Sequence, residues 1–157
     1  MKILVLSDSH GNTENILCAI ERTNPDLLIF LGDGLRDLQA AEEQFPTLRI
    51  ESVPGNCDLF SHDTPERLLV EGGVTILACH GHAYGVKSGY FNLAAAARER
   101  GADVVLFGHT HRVHCETHNR LTMLNPGSIG DYRFPSYGVL TVENGKCTAD
   151  TFLLSNL

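Results

Sequence analysis

Five short polar clusters carry the residues of this chain best suited to chemistry: Asp8-Ser9-His10, Gly32-Asp33-Gly34, Gly55-Asn56-Cys57-Asp58, His80-Gly81-His82 and Gly108-His109-Thr110-His111. Carboxylate, amide oxygen and imidazole together form the donor set of borderline divalent ions such as manganese, iron or zinc, whereas an all-oxygen set would suit magnesium or calcium. Read alone, Asp8 hydrogen-bonds local amides in a turn, and Gly32-Asp33-Gly34 is a turn by composition. Two histidines two residues apart after a buried strand are harder to dismiss, because they are costly without partners. Independent turns do not produce an ordered series of this kind, each member placed directly after an apolar run.

The elements that must position these clusters read as alternating strands and helices. Residues 2–6, 27–31, 48–53, 74–79 and 103–107 are apolar runs of strand length, with a weaker strand at 68–70. Asn12 caps a helix on which Ile16, Leu17 and Ile20 share a face and which stops near Asn24-Pro25. Residues 35–45 form a second helix ended by Pro46, and 91–100 an alanine-rich third closed by Gly101. From residue 112 the helices cease: segments 112–118, 121–124, 137–143 and 147–154 alternate as antiparallel strands, with hairpin turns at Asn144-Gly145 and Glu71-Gly72-Gly73. In an open α/β sheet, ligands bind where the carboxyl ends of the strands share an edge, so the clusters are expected to converge there. Glycine beside almost every cluster allows the sharp exits that aim the side chains inward.

With 157 residues the chain is about one domain and can bury a full core. Its 43% hydrophobic and 20% charged residues are those of an ordered protein, which excludes low-complexity and disordered classes. No apolar run nears the roughly 18 residues of a membrane span, and the apolar start reaches Asp8 too early for a signal-peptide core. A cytoplasmic location without membrane partners is therefore expected. Five cysteines (Cys18, Cys57, Cys79, Cys115 and Cys147), odd in number and without a CxxC pair, indicate neither a disulfide framework nor a thiolate zinc site. A net charge of −7 argues against non-specific nucleic-acid binding, but leaves room for a phosphoester whose charge a metal meets locally. Residues 81–88 approach a P-loop, yet Lys87 falls one residue late; that loop is expected instead to face substrate, with Tyr84 and Lys87 near the site. His62, His114 and His118 read as surface or strand histidines, and Cys57 as a small packed filler.

In order and spacing the five motifs resemble those of the calcineurin-like metallophosphoesterase superfamily, and most of all its small single-domain YfcE-type phosphodiesterase branch. The likeness runs from the first strand to Asn125-Pro126-Gly127-Ser128. It implies a single domain over residues 1–157, an α/β fold of four layers (α-β-β-α) in which two mixed sheets are flanked by helices. It also implies two divalent transition metal ions, manganese first, with iron, zinc, cobalt or nickel as alternatives. Carried over residue by residue, Asp8, His10 and His111 hold the first ion, Asn56, His80 and His109 the second, and Asp33 bridges both. The implied reaction is hydrolysis of a small phosphoester, a diester by likeness to that branch, through a hydroxide bridging the two metals. No protein nucleophile is then required, in keeping with the lack of a nucleophile elbow. Asn125-Pro126-Gly127-Ser128, a turn by composition, is implied to lie beneath the metal-binding histidines as support.

Cys57 is the departure. Many members of the superfamily carry histidine after the ligand asparagine, where it can protonate the leaving oxygen, and a neutral thiol is a poor substitute. The small branch commonly shows this same Gly-Asn-Cys-Asp. The catalytic set is then Asp33 and Asn56, with His82 or metal-polarised water as the acid and Asp58 orienting a neighbouring group. The alternative from another class is a non-catalytic protein-binding scaffold of the same fold, of which a retromer subunit is the example; an intact ligand set separates the two. A homo-oligomer is left open.

Overall fold

Side chains on both faces of the central strands are apolar, so each sheet must be covered twice, once by the other sheet and once by helices. The computed structural model, which describes residues 1–154, meets that demand with β1 (Lys2–Leu6), α1 (Thr13–Thr23), β2 (Leu27–Phe30), α2 (Leu38–Gln44), β3 (Arg49–Ser52), β4 (Glu66–Glu71), β5 (Val74–Cys79), α3 (Phe91–Glu99), β6 (Val104–Leu106), β7 (Val113–His118), β8 (Leu121–Pro126), β9 (Ser136–Glu143) and β10 (Lys146–Leu153). The last three residues of the expected domain lie outside the described residues. One five-stranded sheet has the order β10-β9-β1-β2-β3, the other β4-β5-β6-β8-β7. Both are mixed: β1-β2-β3 and β5-β6-β8 are parallel, and β9, β10, β4 and β7 join them antiparallel.

Alternation sorts the core into three seams. Ile3, Val5, Ile29 and Leu31 meet Ile76, Ala78, Leu106 and Leu124 between the sheets. The intervening residues Leu4, Leu6, Leu28 and Phe30 pack outward on Ile16, Ile20, Leu38 and Ala41 of α1 and α2. On the far side Leu77, Val105 and Phe107 pack on Leu93 and Ala97 of α3. Three seams make four layers, the α-β-β-α sandwich expected. At one flank the free edges β3 and β4 are tied by Arg49 to Glu71 at 2.6 Å and by the Arg67 guanidinium, which donates to the Ser52 carbonyl at 2.8 Å.

Three local expectations need correction. The helix expected over 35–45 opens as a 3₁₀ turn, Leu35–Asp37, because the Gly34 and Leu35 N–H groups are bound by the Asp58 carboxylate. The strand at 48–53 is shorter and partly exposed, since β3 is a sheet edge. Asn125 and Pro126 are not in a turn: β8 runs through them, paired with His114 and Val113. Among the described residues no helix is long and apolar enough to cross a membrane.

Candidate metal centre

The strands β1, β2, β5 and β6 end at a common edge, where Asp8, Asp33, His80 and His109 leave them within two or three residues. There the side chains form two groups, Asp8 with His10 and His111, and Asp33 with His80 and His109, the ligand atoms of each group lying within 4.8 Å of one another. The groups adjoin through their carboxylates. Asp33 Oδ2 is 3.3 Å from His80 Nε2 and 3.8 Å from His10 Nε2. Asp8 Oδ1 is 3.2 Å from His111 Nε2, 3.7 Å from His10 Nε2 and 3.8 Å from His80 Nε2. Both aspartates thus stand between two histidine pairs, although only Asp33 was expected to do so. Asp8, Asp33 and His80 are buried, while His10 and His111 open to solvent.

The residues present fit divalent ions. Asp8 Oδ2 accepts from Ser7 Oγ at 2.5 Å and from the His109 N–H at 3.1 Å, but Asp8 Oδ1 is buried with no hydrogen-bond partner. Such an oxygen is costly unless positive charge meets it. His80 Nδ1 donates to the Leu31 carbonyl at 2.7 Å, which leaves the Nε2 lone pair facing the carboxylates, as a metal ligand requires. Ring nitrogens also approach each other, His10 Nε2 to His111 Nε2 and His109 Nδ1 to His80 Nε2, both at 3.3 Å. Burial, the neighbouring His80 and Lys87 hold His109 below the ordinary histidine range.

The backbone there is strained. Asp8, His10, Asp33, His109 and His111 have φ of +55°, +43°, +59°, +70° and +60°. Each costs of order 1–3 kcal/mol for a residue with a side chain, a cost that clusters at functional sites. The sharp exits are thus shared between the candidate ligands and the glycines beside them, Gly32, Gly34 and Gly81, whose φ are +100°, +145° and +104°. Gly108 serves close approach instead: a Cβ there would stand 2.7 Å from Asp8 Oδ2.

Asp58 orients the site from behind. Its Oδ2 accepts from the Asp33 and Gly55 N–H groups at 2.7 and 2.8 Å, and its Oδ1 from Gly34 and Leu35 at 2.9 and 3.0 Å. Burial pushes its carboxyl up, but the four N–H donors outweigh that and hold it below the ordinary value. On the other side Asn125 Nδ2 donates to the Gly108 carbonyl at 3.1 Å and to Thr110 Oγ1 at 2.9 Å, and Ser128 Oγ to the Asp8 carbonyl at 2.7 Å. The support implied for Asn125 and Ser128 is thus made through the loop backbone. Ser7, which donates to Asp8, carries no signal in the sequence beyond its adjacency to that residue.

The other predicted residues lie outside these two groups. Asn56 is exposed on the loop after β3, its amide nitrogen 3.5 Å from Cys57 Sγ. Cys57 is exposed too and lines a cavity rather than filling one, on a loop that follows the edge strand β3. Partial desolvation of the sulfur and the Asp33 charge push its thiol up, and its N–H donates to Asp33 Oδ1 at 2.8 Å. The His82 ring centroid is 5.5 Å from that of His80 and 6.1 Å from that of His109; burial and His80 hold its pKa below the ordinary range. Tyr84 turns away from the site, its hydroxyl donating to Glu66 on β4 at 2.6 Å. Lys87 stays close enough for its charge to act on His109. His62 and His118 are exposed, and His114 sits in β7 with its ring 4.6 Å from that of Tyr90.

Residues 1–145 match the calcineurin-like phosphoesterase superfamily domain, and the chain belongs to that divalent-metal-dependent superfamily. It is 38% identical over 157 residues to the probable metallophosphoesterase YsnB of Bacillus subtilis (strain 168), an alignment covering 94% of this chain and 88% of that one. It is 27% identical to the phosphodiesterase YfcE of Escherichia coli (strain K12), across 82% of this chain and 79% of the other. Among solved structures, a predicted phosphoesterase from Streptococcus pneumoniae superposes with a TM-score of 0.81 at 26% identity, covering 97% of this chain and 88% of that one. A Vps29 single mutant from Entamoeba histolytica gives 0.77 at 20% identity, covering 99% and 100%, a likeness of fold alone.

Proposed function

We propose that this chain is a single-domain phosphodiesterase dependent on two divalent metal ions, with the strand-end cluster as its active site. In this reading Asp8, His10 and His111 hold one ion, His80, His109 and Asn56 the other, and Asp33 serves both. The observation that carries it is the buried, unpartnered Asp8 Oδ1 set among imidazole nitrogens. Divalent ions held there lower the pKa of the attacking water and offset charge on the phosphoryl oxygens. The mixed oxygen and nitrogen donors suit manganese, with iron, zinc, cobalt and nickel next. The diester preference is supported by the E. coli relative named a phosphodiesterase. Five free cysteines suit a reducing cytoplasm.

The chain's own residues divide the remaining work. Asp58 and Asn125 fix the loops that carry the ligands, and the hydrogen bond from His80 Nδ1 to Leu31 keeps its Nε2 available. Asn56 offers an oxygen without adding negative charge that would repel phosphate. His82, beside the rings of His80 and His109, is the candidate proton carrier, but a histidine held below the ordinary range is mostly neutral at pH 7. With a neutral thiol at Cys57, the leaving oxygen departs with little protonation. The scaffold reading draws on the Vps29-like fold; the full donor set favours hydrolysis.

Elemental analysis of manganese-loaded protein is expected to give two ions per chain, with hydrolysis of bis(4-nitrophenyl) phosphate abolished by chelation and restored by manganese. Full activity in a metal-free preparation overturns the mechanism. Metal binding without hydrolysis of any phosphoester favours the scaffold.

A further inference from the structure

We infer that the cavity beside His10 and Asp33 is a subsite for one nucleotide arm of the substrate, with Arg36 taking a second phosphate and Phe60 stacking on the base. This rests on the phosphodiesterase reading and adds to it the substrate class: short single-stranded nucleotide diesters bearing a terminal phosphate.

The cavity, about 830 Å³, lies between the loop after β2, which carries Arg36, and the loop of residues 57–61. That is the size of a site for an organic ligand, far more than a small alkyl ester fills. Since His10 and Asp33 form part of its wall, a phosphoryl group at the metal centre directs one ester arm into it.

Arg36 is exposed and makes no ion pair among the described residues, although three carboxylates share its cavity. Each of the three is engaged elsewhere. Asp33 Oδ1 takes the Cys57 N–H, Asp37 Oδ2 takes Ser9 Oγ and the Gly11 N–H, and Asp58 takes four backbone donors. Arg49, Arg67 and Arg100 are paired with glutamates; of the arginines without an ion pair among the described residues, Arg36 is the one that lines this cavity. A guanidinium left unpaired in a chain of net charge −7, beside a phosphoryl-binding centre, is matched to a further phosphate by its bidentate donors.

Phe60 supplies the second half. Its side chain is 92% exposed and its φ is +68°, an outlier for a bulky residue, and neighbouring Leu59 is 74% exposed. Folding neither buries this ring nor relaxes its backbone. An exposed ring in the wall of a cavity is a stacking platform, and every nucleobase has a face to offer it. A plain aryl ester would leave Arg36 unused, and a sugar phosphate would leave Phe60 unused. A nucleotide uses both.

The test compares thymidine dinucleotides with no terminal phosphate, a 5′ phosphate or a 3′ phosphate on manganese-loaded protein, with bis(4-nitrophenyl) phosphate as reference. One of the phosphorylated dinucleotides is expected to show a KM about tenfold lower at similar kcat, a difference that Arg36→Gln removes. Phe60→Ala is expected to raise KM for all three dinucleotides more than for methyl 4-nitrophenyl phosphate. Independently of turnover, calorimetric titration of metal-free protein with thymidine 3′,5′-bisphosphate should weaken about tenfold with Arg36→Gln and stay unchanged with Arg22→Gln on α1. Equal KM values across the dinucleotides while bis(4-nitrophenyl) phosphate is still cleaved overturn the subsite alone. Loss of all hydrolysis overturns the phosphodiesterase reading, and the bisphosphate titration then decides the subsite: binding insensitive to Arg36→Gln rejects it.

Discussion

Asp8 and Asp33 are buried carboxylates held within 4 Å of the nitrogens of two histidine pairs, so their surroundings suit a cation better than any neutral occupant. Asp33→Asn is expected to lower turnover by several orders of magnitude and to reduce metal content, whereas His118→Ala, on the exposed face of β7, is nearly silent. Equal effects in a hydrolysis assay would show that ligand and bystander are misassigned. Cys57 makes a separate prediction. Without an imidazolium beside the leaving group, log rate should fall steeply with leaving-group pKa, and aryl esters should outrun alkyl esters. Cys57→Ala should keep that steep slope; Cys57→His should flatten it, helping alkyl esters by up to the roughly 10² to 10⁴ of general acid catalysis. A shallow wild-type slope would point to His82 as a working acid.

At the scale of elements, the loops after β2 and β3 share one clamp, Asp58, whose four N–H partners belong to Asp33, Gly34, Leu35 and Gly55. Charge-assisted bonds of this kind are stronger than neutral ones, and removing the acceptor leaves four donors without it. Asp58→Ala is therefore expected to cost about 3 kcal/mol in urea unfolding, after allowing for partial exposure. Asp58→Asn should cost less, since its amide oxygen keeps part of the set. The sign of the acid dependence follows from the lowered pKa. The clamp's stabilisation is complete above the ordinary carboxyl value of 3.8 and is lost as pH falls through the lower folded value. The wild type should then lose stability relative to Asp58→Asn on acidification below that point, and parallel curves would show that the clamp carries no charge-dependent stability.

For the whole molecule, stability resides in the seams rather than in the ion pairs at their edge. Leu106→Ala, which empties a fully buried position between the sheets, should cost about 2–5 kcal/mol, while Glu71→Gln, which breaks the pair with Arg49, should cost less than about 1 kcal/mol. Denaturant titration separates the two. Metal binding at the strand ends should add to this by mass action, so the melting temperature is expected to rise with manganese concentration and fall on chelation. A melting temperature indifferent to manganese would contradict a metal site in the native state.

The sequence by itself determined the motif order, the alternation of strands and helices, and the candidate donors, because these depend on local spacing and on the side chains available. Asp8, His10, Asp33, His80, His109 and His111 were legible in that way, and the structure brings them to one edge. Tertiary structure alone decided what lies between and behind them. That Asp8 as well as Asp33 faces both histidine pairs depends on how β1 and β2 of one sheet abut β5 and β6 of the other, and sequence spacing carries no record of contacts between sheets. That Asp58 binds four amides, that Tyr84 turns to Glu66, that Cys57 is exposed and that Arg36 is left without a carboxylate all depend on which partners reach each atom first. Such competition among groups distant in sequence is settled only when the chain closes on itself.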